Sequence, residues 1–84
     1  MPKHIEVIAH FDSSGKVIPY RIRYKDIKRQ VQIIHIDRVM KCQDTRFNGH
    51  PMKIYTCRIK ANGREKLITL HYEVNRCIWY YGAI

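Results

Sequence analysis

The spacing of the apolar residues restricts this chain more than any other feature. From His4 to Phe11 the residues Ile5, Val7, Ala9 and Phe11 alternate with His4, Glu6, Ile8 and His10. A period of two places alternate side chains on opposite faces of a strand. Asp12-Ser13-Ser14-Gly15 follows, a cluster of turn-forming residues. Then Ile18, Tyr20, Ile22 and Tyr24 alternate with Arg21 and Arg23. With Asp12–Gly15 as the loop, Phe11 faces Lys16, Ala9 faces Ile18, Val7 faces Tyr20 and Ile5 faces Ile22. Glu6 then meets Arg21 on the polar side. Pro19 has no N–H for a ladder, so it belongs at an edge or a bulge.

A second hairpin is written more plainly. Asn62-Gly63 suits a type I′ turn, which needs positive φ at both central residues. That turn pairs Tyr55 with Leu70, Cys57 with Ile68 and Ile59 with Lys66 on one face. It pairs Thr56 with Thr69, Arg58 with Leu67 and Lys60 with Glu65 on the other. A turn at Val74-Asn75-Arg76 leads to a last strand, Cys77 to Tyr81. This puts Trp79, the only tryptophan, among Ile68, Leu70 and Tyr72, with Ile78 and Tyr80 on the opposite side. The expected core is Val7, Ala9, Ile22, Tyr55, Cys57, Ile68, Leu70 and Trp79.

Between Gln30 and Asp44 the alternation breaks at Ile33-Ile34, where a bulge or sharp bend is expected. Ile27, Val31 and Ile34 also fit a helical stripe, but β-branched residues dominate and favour strands. Arg46 to Met52 reads as one long loop. Short strands joined by tight turns make an antiparallel meander, and a sheet of this size removes its edges by closing. The expected fold is all-β, a meander closing into an SH3-like barrel, with an OB-type or other small β-barrel as the alternative.

With 84 residues the chain is a single domain, residues 1–84. Its 45% hydrophobic content supplies a core. The size excludes a multidomain enzyme and a large cofactor fold. No apolar run approaches the roughly 18 residues of a membrane span, and MPKHIEVIAHF lacks the continuous apolar stretch of a signal peptide. Cys42, Cys57 and Cys77 form no C-x-x-C pair and suit reduced thiols. A cytoplasmic protein with no membrane partner is expected.

Taken together, I-E-V-I-A-H-F-D-S-S-G-K-V-I-P-Y-R-I-R-Y, I-D-R-V at Ile36–Val39, Y-T-C-R-I at Tyr55–Ile59 and L-H-Y-E-V-N-R-C-I-W-Y resemble a family of short uncharacterised bacterial proteins. An F-D-x-x-G-x-x-x-P turn and a terminal aromatic cluster recur there in the same order. The resemblance implies a bacterial, cytoplasmic, small β protein and carries no activity and no site residues. The segment Lys25–Gln30 is more basic here than in that family.

The chemistry-bearing residues are sparse. Ser13 and Ser14 are explained by turn formation, Cys42 has no local base signature, and the seven carboxylates include no pair spaced for acid–base work. His4 and His10 share a face but lie roughly 20 Å apart along a strand, too far for one metal. A non-catalytic domain without metal or cofactor is expected. The excess of 16 Lys and Arg over 7 Asp and Glu, a net charge of +9, is the stronger lead. Arg21, Arg23 and Lys25 share one strand face, and Lys28 and Arg29 follow. Cations two residues apart can track phosphates, and exposed rings can stack on bases. The expected polyanion-binding set is Arg21, Arg23, Lys25, Lys28, Arg29 and Arg58, with Phe47 and Tyr80 as stacking rings. The bland reading is that these cations merely solvate a barrel and keep strand edges from aggregating. The competing function is a protein-interaction module or homodimer that uses Ile8, Ile78, Tyr80 and an open edge at the Pro19 strand.

Overall fold

The computed structural model describes residues 3–82, and the remaining ends of the 1–84 span lie outside them. Six antiparallel strands form a closed barrel in sequence order: β1 (Lys3–Phe11), β2 (Val17–Lys25), β3 (Val31–Phe47), β4 (His50–Ala61), β5 (Arg64–Glu73) and β6 (Ile78–Tyr81). The architecture is all-β, a small barrel consistent with an SH3-like or an OB-like fold. Each strand pairs with its neighbour in sequence. The seam is β1 with β6, through Lys3–Tyr81, His4–Tyr80 and Ile5–Trp79. No helix among the described residues is long and apolar enough to cross a membrane.

The β4–β5 hairpin has the register the alternation dictates, from Tyr55 opposite Leu70 to Lys60 opposite Glu65. Its turn residues Asn62 and Gly63 have φ of 54° and 75°. Trp79 packs between Tyr72 and Tyr55, with ring centroids 4.6 Å and 5.5 Å away. Ile22, Tyr55, Cys57, Ile68, Leu70 and Trp79 are buried as expected, joined by Val17, Ile59 and Tyr72, while Val7 and Ala9 are half-buried against them. Burial pushes the Cys57 thiol up to about 11, which leaves it protonated and unreactive.

Four expectations are corrected. The first hairpin is shifted: Phe11 pairs with Val17 and Ala9 with Pro19, but Val7 pairs with Ile22 and Glu6 with Arg23. Tyr20 is the extra residue of a bulge opposite Ile8 and Ala9. Beside it Pro19 offers no ladder donor, so the bulge falls where pairing was weakest. The bulge swaps faces, which buries Val17 and Pro19 and leaves Tyr20 exposed. Next, the irregularities of β3 lie not at Ile33-Ile34 but between Ile36 and Arg38 and between Val39 and Lys41. There β3 stops pairing with β2 and begins pairing with β4. Third, Arg46–Met52 is a tight hairpin on Asn48-Gly49, with φ of 50° and 80°. Finally, Cys77 belongs to the last turn, with φ 56°, and β6 starts at Ile78.

Where β3 leaves β2, the start of β2 has no partner on that side. Tyr55 donates its hydroxyl to the Val17 carbonyl across this gap, at 2.6 Å and buried. Burial raises the Tyr55 pKa, so the hydroxyl keeps the proton it donates. Tyr55→Phe should therefore cost about 1–3 kcal/mol, because the Val17 carbonyl is left buried and unpaired. A urea midpoint equal to that of the wild type would contradict this. Gly63→Val should cost about 1–3 kcal/mol. An added Cβ there meets nothing within 4 Å, so the loss measured in thermal unfolding would be backbone strain alone.

Candidate nucleic-acid interface

After the bulge, Ile22 and Tyr24 turn inward, which sends Arg21, Arg23 and Lys25 outward together. The pairing sets them in rows: Arg21 between Ile8 and His35, Arg23 between Glu6 and Ile33, and Lys25 beside Val31. Neighbours in this stripe lie roughly 6.6 Å apart along the strand. The Arg21 guanidinium lies over the Tyr20 ring, 5.0 Å from its centre, and its Nε is buried without a partner. Lys28 and Arg29 extend the stripe into the β2–β3 loop.

That loop has an internal twin. In the β1–β2 loop Asp12 N–H donates to the Lys16 carbonyl and Gly15 N–H to the Asp12 carbonyl. The Asp12 carboxylate accepts the N–H groups of Ser14 and Lys16. In the β2–β3 loop Asp26 N–H donates to the Gln30 carbonyl and Arg29 N–H to the Asp26 carbonyl. The Asp26 carboxylate accepts the N–H groups of Lys28 and Gln30. Both carboxyls are held below the usual aspartate range, Asp12 chiefly by the Ser14 hydroxyl and Asp26 chiefly by the Gln30 N–H. The geometry is the same, but Ser13, Ser14 and Gly15 of one are Ile27, Lys28 and Arg29 of the other. Arg29 occupies the left-handed position at φ 60°, where its twin has glycine at 84°. Ile27 is 99% exposed at the tip of this loop, so it forms no helical stripe with Val31 and Ile34.

The acids show which cations are free. Glu6 pairs with Arg23, Asp44 with Lys53, Asp37 with Arg58 and Glu73 with Arg76. Asp12 and Asp26 are bonded to their own loops, and Glu65 lies opposite Lys60. Among the described residues no carboxylate forms an ion pair with Arg21, Lys25, Lys28 or Arg29. The Glu6–Arg23 contact is long, 3.5 Å, between exposed side chains, and contributes at most about 1 kcal/mol.

Three of the expected site residues lie elsewhere. Arg58 is on β4, its guanidinium bonded to Asp37 at 3.0 Å; the bulge at Asp37 aims that carboxylate at it. Phe47 ends β3 beside the Asn48-Gly49 turn, at the other end of a 17-residue strand from Lys28 and Arg29. Tyr80 is half-buried, edge-on to His4 with centroids 4.7 Å apart, and donates to Glu73. It sits in a row with buried His71, whose pKa is lowered by burial and which therefore adds no charge at neutral pH. Ile78 is half-buried as well, so Ile78 and Tyr80 form no leftover exposed patch with Ile8. Sequence reasoning missed Tyr20 and Ile27. The signal for Ile27 was its place between Asp26 and Lys28, a turn rather than a helix.

Comparison with family models, curated proteins and solved structures gives no match. The strain at Arg29 has a direct test. Arg29→Gly, which copies the twin loop, should stabilise the protein by about 0.5–1 kcal/mol, the left-handed cost relieved less the added freedom of the unfolded chain. A lowered thermal midpoint would show that Arg29 makes a compensating contact.

Proposed function

We propose that this protein is a non-catalytic binder of nucleic acid, which it holds through the phosphate backbone along β2 and the β2–β3 loop. The supporting observation is that Arg21, Lys25, Lys28 and Arg29 follow one another along β2 and its loop and form no ion pair among the described residues, the nearby Asp26 being bonded within its own loop. Cations on phosphates carry affinity without reading sequence, so binding is largely sequence-independent. The strain at Arg29 fits the same reading: an unfavourable backbone conformation persists where a side chain is needed. Arg23, tied to Glu6 by a long exposed contact, adds to the positive field of the stripe and is not counted as a phosphate contact. Free Cys42, Cys57 and Cys77 fit a cytoplasmic setting.

A second reading is a protein-interaction surface or homodimer. It draws on Ile8 and Ile33, both 55% exposed beside the stripe. The Pro19 edge supports it less, because Pro19 is buried and the Val17 carbonyl is already bonded to Tyr55. A monomeric mass in light scattering at high protein concentration would remove it.

The test is titration of a labelled DNA duplex at two salt concentrations. With Arg21, Lys25, Lys28 and Arg29 each on a phosphate, log affinity should fall with log salt at a slope of about −3.6. A fourfold rise in salt should then weaken binding by about a hundredfold. Replacing Lys25 and Lys28 with Gln should shallow the slope by about 1.8. No binding at low salt, or binding indifferent to salt, would overturn the proposal.

A further inference from the structure

We infer that Ile27 is a wedge that enters between stacked base pairs of double-helical DNA while Lys25, Lys28 and Arg29 hold the flanking phosphates. The inference rests on the phosphate-binding reading above and names its substrate as a duplex. It starts from the paired loops. The β1–β2 loop shows that this geometry needs only Asp, two small polar residues and glycine. The β2–β3 loop keeps the Asp and replaces the rest with an aliphatic residue and two cations, and it tolerates positive φ at Arg29 to do so. Neither change serves the barrel: Ile27 is 99% exposed and touches no core.

The loop is also rigid enough to act as a wedge. Asp26 accepts from Lys28 N–H, Gln30 N–H and the Gln32 side-chain amide, at 2.9 to 3.1 Å. The aliphatic tip is thus held out from the barrel with cations on both sides in sequence. Inserted aliphatic side chains part base steps from the minor groove, and flanking Arg and Lys side chains hold the backbone. A single strand would instead call for exposed aromatic platforms. The stripe offers a single exposed ring, Tyr20, and the Arg21 guanidinium already covers one of its faces; Phe47 is at the far end of β3 and Tyr80 is packed on His4. Tyr81 faces a recess of about 290 Å³ with Ile5, Ile22 and Ile34, and Tyr24 is half-buried between that recess and the one beside Arg23 and Lys25, so its ring is no open platform.

The experiment uses the whole chain and a short duplex with 2-aminopurine at its centre, whose fluorescence rises when it is unstacked. Wild-type protein should brighten the probe. Ile27→Ser, which gives the loop the residue of its twin, should abolish the brightening and weaken binding about tenfold, the loss of one buried aliphatic side chain. Its salt slope should be unchanged, since every phosphate contact remains. Ile27→Leu should restore the brightening. Duplex binding without brightening, or brightening that survives Ile27→Ser, would overturn the wedge and leave phosphate binding standing. Absence of any duplex binding by the wild type would overturn both. Vesicles of anionic phospholipid serve as the contrasting probe. Ile27-dependent binding to them, with duplex binding indifferent to Ile27, would reassign the tip to a lipid surface and overturn the wedge.

Discussion

The barrel depends on how the chain closes the gap that opens where β3 parts from β2. A six-stranded meander cannot keep every ladder continuous around so small a circumference, and β3 bends away at Asp37 and Met40 to pair with β4. The hydroxyl of Tyr55 fills the breach by bonding the Val17 carbonyl. That one bond ties the β1–β2 hairpin to the wall formed by β4 and β5, and the same ring packs on Trp79 inside. With Val17 fixed inward, the bulge at Tyr20 must reverse the faces of β2. Arg21, Arg23 and Lys25 point outward because Ile22 and Tyr24 then point in.

How much of this was legible in the sequence varied with how local its cause was. The β4–β5 register follows from Asn62-Gly63 and the residues beside it, and nothing distant disturbs it. The same dipeptide at Asn48-Gly49 was obscured by Arg46, His50 and Pro51, which lack apolar alternation and read as loop. The register of the first hairpin failed at Pro19. The sequence announced a bulge there, but only packing against Tyr55 decides which residue is extra. The bend in β3 was expected at the doubled isoleucine. It falls instead where β3 changes partner, a property of the sheet rather than of the strand.

The site divides the same way. Arg21, Arg23 and Lys25 share a face because period two is local, and Lys28 and Arg29 follow by continuity. Arg58, Phe47 and Tyr80 were grouped with them by residue type alone. Ion pairing with Asp37, the length of β3 and contact with His4 separate them, and none of these is visible in linear spacing. Ile27 drew no role from the sequence, because the helical stripe it could share with Val31 and Ile34 was outweighed by β-branched residues and nothing local marks a loop tip as exposed.

The β1–β6 seam has a consequence for how the barrel assembles. Every other strand pairing joins neighbours in sequence, so hairpins can zip from their turns with little loss of chain freedom. The seam alone brings together opposite ends of the fold, through three residue pairs. Most of the entropy of ring closure therefore falls on one short ladder, which forms after the hairpins and opens before them. Amide exchange should be fastest to breach the fold along that line, while β4 and β5 persist as the slowest-exchanging unit.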